Sequence, residues 1–446
     1  MEEKREDEIT VKNMAGRLVA LAFMLGVLGF GVAACGSDDS DSGDGGSDAA
    51  STEMTEEQLK WATDFTGGSG AADESAAPFV IGFANNQGGV PSHPEPTDAM
   101  QAAAEFINEE LGGIAGRPVE VKNCFMTAEE DGQKCAAEFL GDDRIGVVVV
   151  GVAEYGTASL YKAIAGKIPV LVGTPAGEPD TTTPNVYTLN GGAIAPIGAD
   201  GILATQVPGA TKSAVLHSDN PIGTFVATDL LKPTLEAGGL EVSLVPVADT
   251  ATAPEVASAI QASGAAEAEV FQLTTLGPTC IAAANALEQQ NLTPTVITTV
   301  SCWQPEVYEA GDGKLPDGWI YTSFGDSPRV PNAENGRDTY VAAMEAAGMP
   351  ESSTMNGDAS LAFSTVMAIA SMGNKLGDQL DRPSLLEAIK NYRGPLMMAP
   401  GKPACGKVSS IFPGVCTTLS PRQQSVDGVL EALPPVNVKS LLNPPS

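Results

Sequence analysis

Residues 146–177 read GVVVVGVAEYGTASLYKAIAGKIPVLVGTPAG. The valines at 147–150 have the composition of a strand buried on both faces. A small polar turn follows, Ala153-Glu154-Tyr155-Gly156-Thr157, and then a helix-like segment over 158–165. Ile168-Pro169-Val170-Leu171-Val172 is a second apolar run, and Gly173-Thr174-Pro175-Ala176-Gly177 a second turn. The stretch is one βαβ unit. In an open parallel sheet, ligands sit beyond the carboxyl ends of the strands. Both polar turns are therefore expected at one ligand edge, as half of a binding cleft.

The same alternation extends in both directions. Phe79-Val80-Ile81-Gly82-Phe83-Ala84 predicts a first buried strand, with Asn85-Asn86-Gln87-Gly88-Gly89 as its turn. Residues 97–111 have helical spacing, with Ala99, Ala102, Ala103, Phe106 and Ile107 on one side. Strands are expected at 119–124, 185–189, 213–217, 242–247, 269–274, 295–299 and 319–323. Helices are expected at 131–140, 197–206, 222–237, 253–263 and 280–290. Alternation at this period implies parallel sheets with right-handed crossovers, and two series imply two α/β domains. Three further helices, over 335–347, 358–375 and 383–391, close the pattern. Residues 417–430 are expected to end the body, and 431–446 to be a frayed tail.

The chain has 446 residues, with 24 Lys and Arg against 56 Asp and Glu, for a formal net charge of −32. That balance argues against nucleic acid, whose phosphates require a basic surface. His occurs only twice, at His93 and His217, which leaves little material for a metal site or a Ser-His-Asp triad. No cofactor or metal is expected, and no catalytic residue is assigned.

The N-terminal region reads as a sorting signal. Residues 18–34, LVALAFMLGVLGFGVAA, follow Lys12 and Arg17 and end on small residues before Cys35. This resembles a bacterial lipoprotein signal, shorter than the ~20 apolar residues of a membrane-spanning helix. It implies a signal peptide over 1–34, cleavage before Cys35, and lipid on that thiol. Either Met1 or Met14 is compatible with the start of such a signal. Residues 35–78, opening GSDDSDSGDGG after the Cys, are low in large apolar residues and predict an acidic flexible tether. Within it, TEEQLKWATDF at 55–65 is expected to form a short helix with Thr55 as cap.

Cys124, Cys135, Cys280, Cys302, Cys405 and Cys416 remain. An even number outside the cytoplasm predicts disulfides, and no CxxC pair suggests metal or redox use. Several connectivities are open. Nearest-neighbour pairing is the expectation: Cys124–Cys135, Cys280–Cys302 and Cys405–Cys416.

Several of these pieces resemble the branched-chain amino-acid (Leu/Ile/Val) binding proteins, type I periplasmic substrate-binding proteins of ABC transporters. The likeness is carried by Ile81-Gly82-Phe83-Ala84, by the helix ending Phe106-Ile107-Asn108-Glu109-Glu110, and by Gly112-Gly113-Ile114-Ala115-Gly116-Arg117 before the second strand. It continues through 146–176 and through Ala214-Val215-Leu216-His217-Ser218-Asp219-Asn220-Pro221-Ile222-Gly223. It spans about 79–430. The resemblance implies two Rossmann-like lobes, 79–190 with 326–391 and 191–325 with 392–430, joined by three hinge crossings near 190–195, 323–327 and 392–395. It implies first-lobe ligand contacts at Asn86, Gln87, Glu154, Tyr155, Gly156, Thr157, Thr174 and Ala176. Second-lobe contacts are implied at Ile222, Thr274, Thr275, Ser301 and Trp303.

Three departures from the family pattern bear on the ligand. Ile222 stands where amino-acid binders usually carry an aromatic residue. No acid lies within 300–303, where the family places the partner of a substrate ammonium. Ala-Glu-Tyr-Gly-Thr replaces the Ser-rich turn after the third strand, which makes Glu154 the candidate for the missing charge; a solvated turn acid is the plain alternative. The implied function is an extracytoplasmic, lipid-anchored protein that captures a small organic solute (an amino acid, amide or related carboxylate) and delivers it to an ABC transporter permease. The alternative is a receptor of the same fold acting on a membrane kinase or chemoreceptor.

Overall fold

A computed structural model describes residues 54–443. The signal peptide over 1–34, Cys35 and the tether up to residue 53 lie outside the described residues, as do residues 444–446. Among the described residues, no helix is long and apolar enough to cross a membrane.

The chain opens with α1 (Glu56–Thr66), whose Thr55 and Gln58 form a reciprocal capping box. Then β1 (Phe79–Asn86), α2 (Glu95–Glu110), β2 (Val119–Met126), α3 (Asp131–Leu140), β3 (Ile145–Ala153), α4 (Thr157–Ile164), β4 (Val170–Pro175), α5 (Pro179–Thr182) and β5 (Val186–Tyr187) alternate. The five strands form one parallel sheet in the order β2-β1-β3-β4-β5. β1, β3 and β4 sit inside this sheet and are almost wholly buried, as valine-rich runs covered by helices on both faces must be.

The second series comprises α6 (Ile194–Thr205), β6 (Lys212–Ser218), α7 (Pro221–Phe225), α8 (Lys232–Ala237), β7 (Glu241–Val247), α9 (Ala253–Ala262), β8 (Val270–Thr274), α10 (Gly277–Gln289), β9 (Thr295–Thr299), α11 (Pro305–Ala310) and β10 (Ile320–Thr322). The single helix expected over 222–237 is interrupted by a π-helical turn at Val226–Leu231. Pro233 explains the break, because it has no N–H to return to the turn before it.

The chain then returns to the first sheet with α12 (Arg337–Ala346), α13 (Glu351–Thr354), α14 (Gly357–Leu376) and α15 (Arg382–Lys390). α14 packs on α2, β3 and β4, and its Phe363, Val366 and Met367 join the first-lobe core. The chain ends with β11 (Leu419–Val426), β12 (Val429–Asn437) and α16 (Lys439–Leu442). The second sheet runs β12-β11-β10-β9-β8-β6-β7.

Three expectations are corrected. The second sheet is not wholly parallel: β10–β11 and β11–β12 pair antiparallel. The Asp427-Gly428 pair, with φ of 54° and 87°, makes the tight hairpin turn that joins them. The frayed tail expected over 431–446 is instead strand as far as Asn437, followed by α16 with Leu442 fully buried. Pro434 and Pro435 read as strand breakers, but β12 is an edge strand, where proline costs no ladder bond. The flexible tether expected to reach residue 78 is folded from α1 onward. Ala62 and Phe65 are buried against the first-lobe core, and the Trp61 indole N–H donates to the Glu334 carbonyl at 3.0 Å.

Cys124–Cys135, Cys280–Cys302 and Cys405–Cys416 are disulfide-bonded. Three passages connect the two sheets, after β5, after β10 and after α15. They are laced together. Thr188 N–H donates to Gly414 and Cys416 N–H to Asn190, while Asp326 N–H donates to Met398. Pairing across the passages makes them one narrow hinge rather than three separate linkers.

Candidate functional site

The carboxyl ends of β4 and β9 meet at the first turn of α14, where Thr174 and Gln304 both bond Asp358, and the walls around this junction are built by side chains that hold the local backbone. Asn85 and Asn86, at the buried end of β1, do this for the first lobe. Asn85 accepts from Val152 N–H at 3.0 Å and donates to the His93 carbonyl at 2.6 Å. Asn86 accepts from Glu154 N–H at 2.6 Å and Tyr155 N–H at 3.1 Å, and donates to the Tyr155 carbonyl at 3.0 Å. The turn after β3 and the loop before α2 are thereby locked to one strand end.

The other first-lobe candidates are also engaged. Gln87 accepts from Thr97 at 2.6 Å. The Tyr155 hydroxyl donates to the Pro91 carbonyl at 2.7 Å. Gly156, at φ 80°, begins α4, and its N–H donates to Glu129 at 2.7 Å. Ala176 and Gly177 N–H donate to one Asp180 oxygen at 3.0 and 2.8 Å. Asp180 also accepts from the Tyr161 hydroxyl at 2.7 Å. Burial pushes its carboxyl up to about 6 against those three donors. Thr157 is buried at the start of α4.

Glu154 meets a partner absent from the sequence-based set. Its Oε1 lies 3.4 Å from His93 Nε2. Burial alone would lower the His93 pKa. The adjacent Glu154 carboxylate, with Asp358 and Glu95, outweighs that and raises it to about 9. His93 is therefore an imidazolium at neutral pH. Glu95, half-buried at the start of α2, is itself pushed up by burial and by Asp358. Asp358, on the first turn of α14, accepts from Thr174 Oγ1 at 2.9 Å. Burial pushes the Asp358 carboxyl up, with His93 opposing.

The second lobe reaches this cluster directly. Gln304, in the turn after β9, donates to Asp358 Oδ2 at 3.3 Å and accepts from Gly357 N–H at 3.2 Å. Trp303 packs its six-membered ring on Gly357, leaving no room there for a side chain. Its indole nitrogen is buried without a partner. Thr274 ends β8 with its hydroxyl likewise buried and unpartnered. The Thr275 hydroxyl lies against Cys280 Sγ, and half-buried Ser301 shares the 3-10 turn of Trp303. Ile222 packs partly into the second-lobe core at the start of α7. Glu306 stands on the rim beside Gly277. His217, the second histidine, has Nδ1 3.1 Å from the Ser218 carbonyl.

The structure thus brings Glu154, Thr174 and Trp303 to one centre and spends Asn86, Gln87, Tyr155 and Ala176 on the walls around it. Sequence reasoning missed His93, Glu95, Gln304, Glu306 and Asp358. The scarcity of histidine was the one usable signal, pointing at His93 without its partner.

A family model described as periplasmic binding protein matches residues 78–405. The chain belongs to that family. Its two mostly parallel sheets, with helices on both faces and a three-passage hinge, are the type I form of the periplasmic binding protein fold. Solved structures with this fold include a solute-binding protein of an ABC transporter from Rhodopseudomonas palustris BisB5, in complex with 3,4-dihydroxybenzoic acid. It is 17% identical, with a TM-score of 0.65 over 81% of this chain and 98% of its own. A leucine-binding protein, LivK, from Thermotoga maritima is 15% identical, with a TM-score of 0.63 over 80% of this chain and 98% of its own. An ABC transporter substrate-binding protein from Desulfitobacterium hafniense, in complex with Leu, is 15% identical, with a TM-score of 0.59 over 80% and 100%. At these identities the likeness is one of fold. No curated protein sequence matches. The family's description names binding rather than a reaction.

Proposed function

We propose that this periplasmic binding protein is an extracytoplasmic lipoprotein, anchored through Cys35, that captures a small organic solute between its lobes and delivers it to an ABC importer. The observation that carries the reading is the junction of Gln304 with Asp358 and Gly357. It joins the two lobes beside a polar cluster, as a clamp closing on a ligand requires. Glu154, Thr174 and Trp303 are the proposed contacts, with Thr274, Thr275 and Ser301 completing the second-lobe wall. Asn86, Gln87, Tyr155, Gly156, Thr157, Ala176 and Ile222 frame the site.

A thermal-shift screen of amino acids, amides, aromatic acids, amines and polyols tests the capture step. A bound solute raises stability by RT ln(1 + [L]/Kd), about 2.7 kcal/mol at a hundredfold excess over Kd. No shift with any solute class would remove the reading. Globomycin treatment of producing cells tests the anchor: an uncleaved precursor is expected, and unchanged processing would remove the lipid claim.

A further inference from the structure

The charge of the captured solute is written into the cleft. Two arrangements decide it, and a third supplies the remaining contacts.

The first concerns the backbone donors at the carboxyl ends of β3 and β4. Such N–H groups are where an anionic ligand would be held. Here this chain's own side chains already occupy five of them. Asn86 takes Glu154 and Tyr155 N–H, Glu129 takes Gly156 N–H at 2.7 Å, and Asp180 takes Ala176 and Gly177 N–H. An incoming carboxylate would find these donors used and two fixed carboxylates behind them.

The second concerns the balance of charge. Glu95, Glu154, Glu306 and Asp358 come from four separate elements and turns, and all of them act on or through His93. One imidazolium faces four carboxyl groups. The Arg329 guanidinium lies over the Tyr308 ring at 4.0 Å and 3.9 Å from Glu351, with its Nε buried and unpartnered, and no member of the cluster bonds to it. Closing the lobes takes these carboxylates away from water. Unpaired, they oppose closure; a ligand cation among them removes that cost.

The third concerns unused groups. The Trp303 indole N–H and the Thr274 hydroxyl are each more than nine-tenths buried and have no partner. The Trp303 benzo ring lies on Gly357 through Cη2 and Cζ2, one residue from Asp358. A donor placed there calls for a neutral acceptor on the ligand, and an indole beside carboxylates also suits a cation.

We infer that the solute is a small organic cation, an amine or amidinium with a neutral hydroxyl or carbonyl group and no carboxylate. It would place its charge among Asp358, Glu154 and Glu95 and its acceptor toward Trp303. This rests on the solute-capture reading above.

Calorimetry on the purified protein tests it with ethanolamine, choline and agmatine as cations, leucine as zwitterion and 4-hydroxybenzoate as anion. At least one cation should saturate a single site, with affinity falling as salt rises. Asp358→Asn should weaken that cation ~30-fold or more, as loss of a buried charge partner does. Glu306→Gln, on the exposed rim, should weaken it ~2- to 5-fold while leaving the melting temperature in place. This second variant keeps the test decisive if Asp358→Asn fails to fold. Saturation by leucine or 4-hydroxybenzoate, with none by the cations, overturns the charge class and leaves solute capture standing. No binding in any of the three classes overturns the charge class, and solute capture falls with it if the amides and polyols of the thermal screen also give no shift.

Discussion

Gln304 and Asp358, 54 residues apart in sequence, join the two lobes: the amide of Gln304 donates to Asp358 Oδ2 at 3.3 Å. The same amide's oxygen accepts from Gly357 N–H. Two hydrogen bonds of about 1 kcal/mol each therefore favour the closed lobes before any ligand is counted. Gln304→Ala should lower the closed population by ~5- to 30-fold, raise the radius of gyration in solution scattering, and weaken ligand binding in proportion to the lost closed fraction. An unchanged scattering profile would show that the pair holds nothing shut.

The His93–Glu154 pair makes stability pH-dependent on the alkaline side. In the folded chain His93 keeps its proton up to about 9, against a reference value of 6.5. Between those values the native state binds more protons than the unfolded one, so stability falls as pH rises. The contribution is complete below about 6.5 and gone above about 9. Melting curves from pH 6 to 10 (roughly the span of this titration) should converge for wild type and His93→Gln at the alkaline end. Parallel curves would refute the pairing.

Asp200 acts at lower pH. It is fully buried on α6, accepts from Thr322 at 2.7 Å through one oxygen, and has no partner for the other. Burial pushes its carboxyl up to about 8 from 3.8. Its native proton is worth most below the lower value, and stability drains away as pH climbs to the upper one. Gln272 bonds to the Asp200 backbone, and its own side-chain oxygen is unpaired. Asp200→Asn offers an N–H in that region while keeping an acceptor for Thr322. The variant should be more stable than wild type by ~1–3 kcal/mol near neutral pH, with the gap closing toward pH ~4. A destabilised variant in denaturant titrations would contradict this account.

Phe65 tests whether α1 is part of the body. It is 6% exposed, stacks on Trp61 with centroids 5.0 Å apart, and its carbonyl accepts from Ser371. Phe65→Ala should cost ~3–5 kcal/mol in chemical denaturation. Ligand affinity should not move, since α1 packs on α12 and α14, with Phe65 outside the ligand cleft.

The regular frame was legible because its causes are local. Val147, Val148, Val149 and Val150 announce a strand covered on both faces, and α3 and β9 fall where periodicity puts them. β12 was not legible, since Pro434-Pro435 marks both a loop and an edge strand, and only the partner β11 decides. The cleft was half legible. The turn holding Glu154 declares itself by its place after β3. That Tyr155 would reach back to Pro91, and that Asp180 would fill the donors after β4, depends on loop conformations no spacing encodes. His93, Gln304 and Asp358 meet only because three chain passages fold two sheets face to face.

The position of α1 has a mechanical consequence. It lies outside the span shared with the family, residues 78–405, and docks on first-lobe helices alone. A pull arriving through the chain ahead of Met54 is delivered to the first lobe and stops there. Under the proposed anchor through Cys35 that lobe is the fixed jaw and the second lobe the swinging one, so holding the molecule in place and closing it would not share a load path.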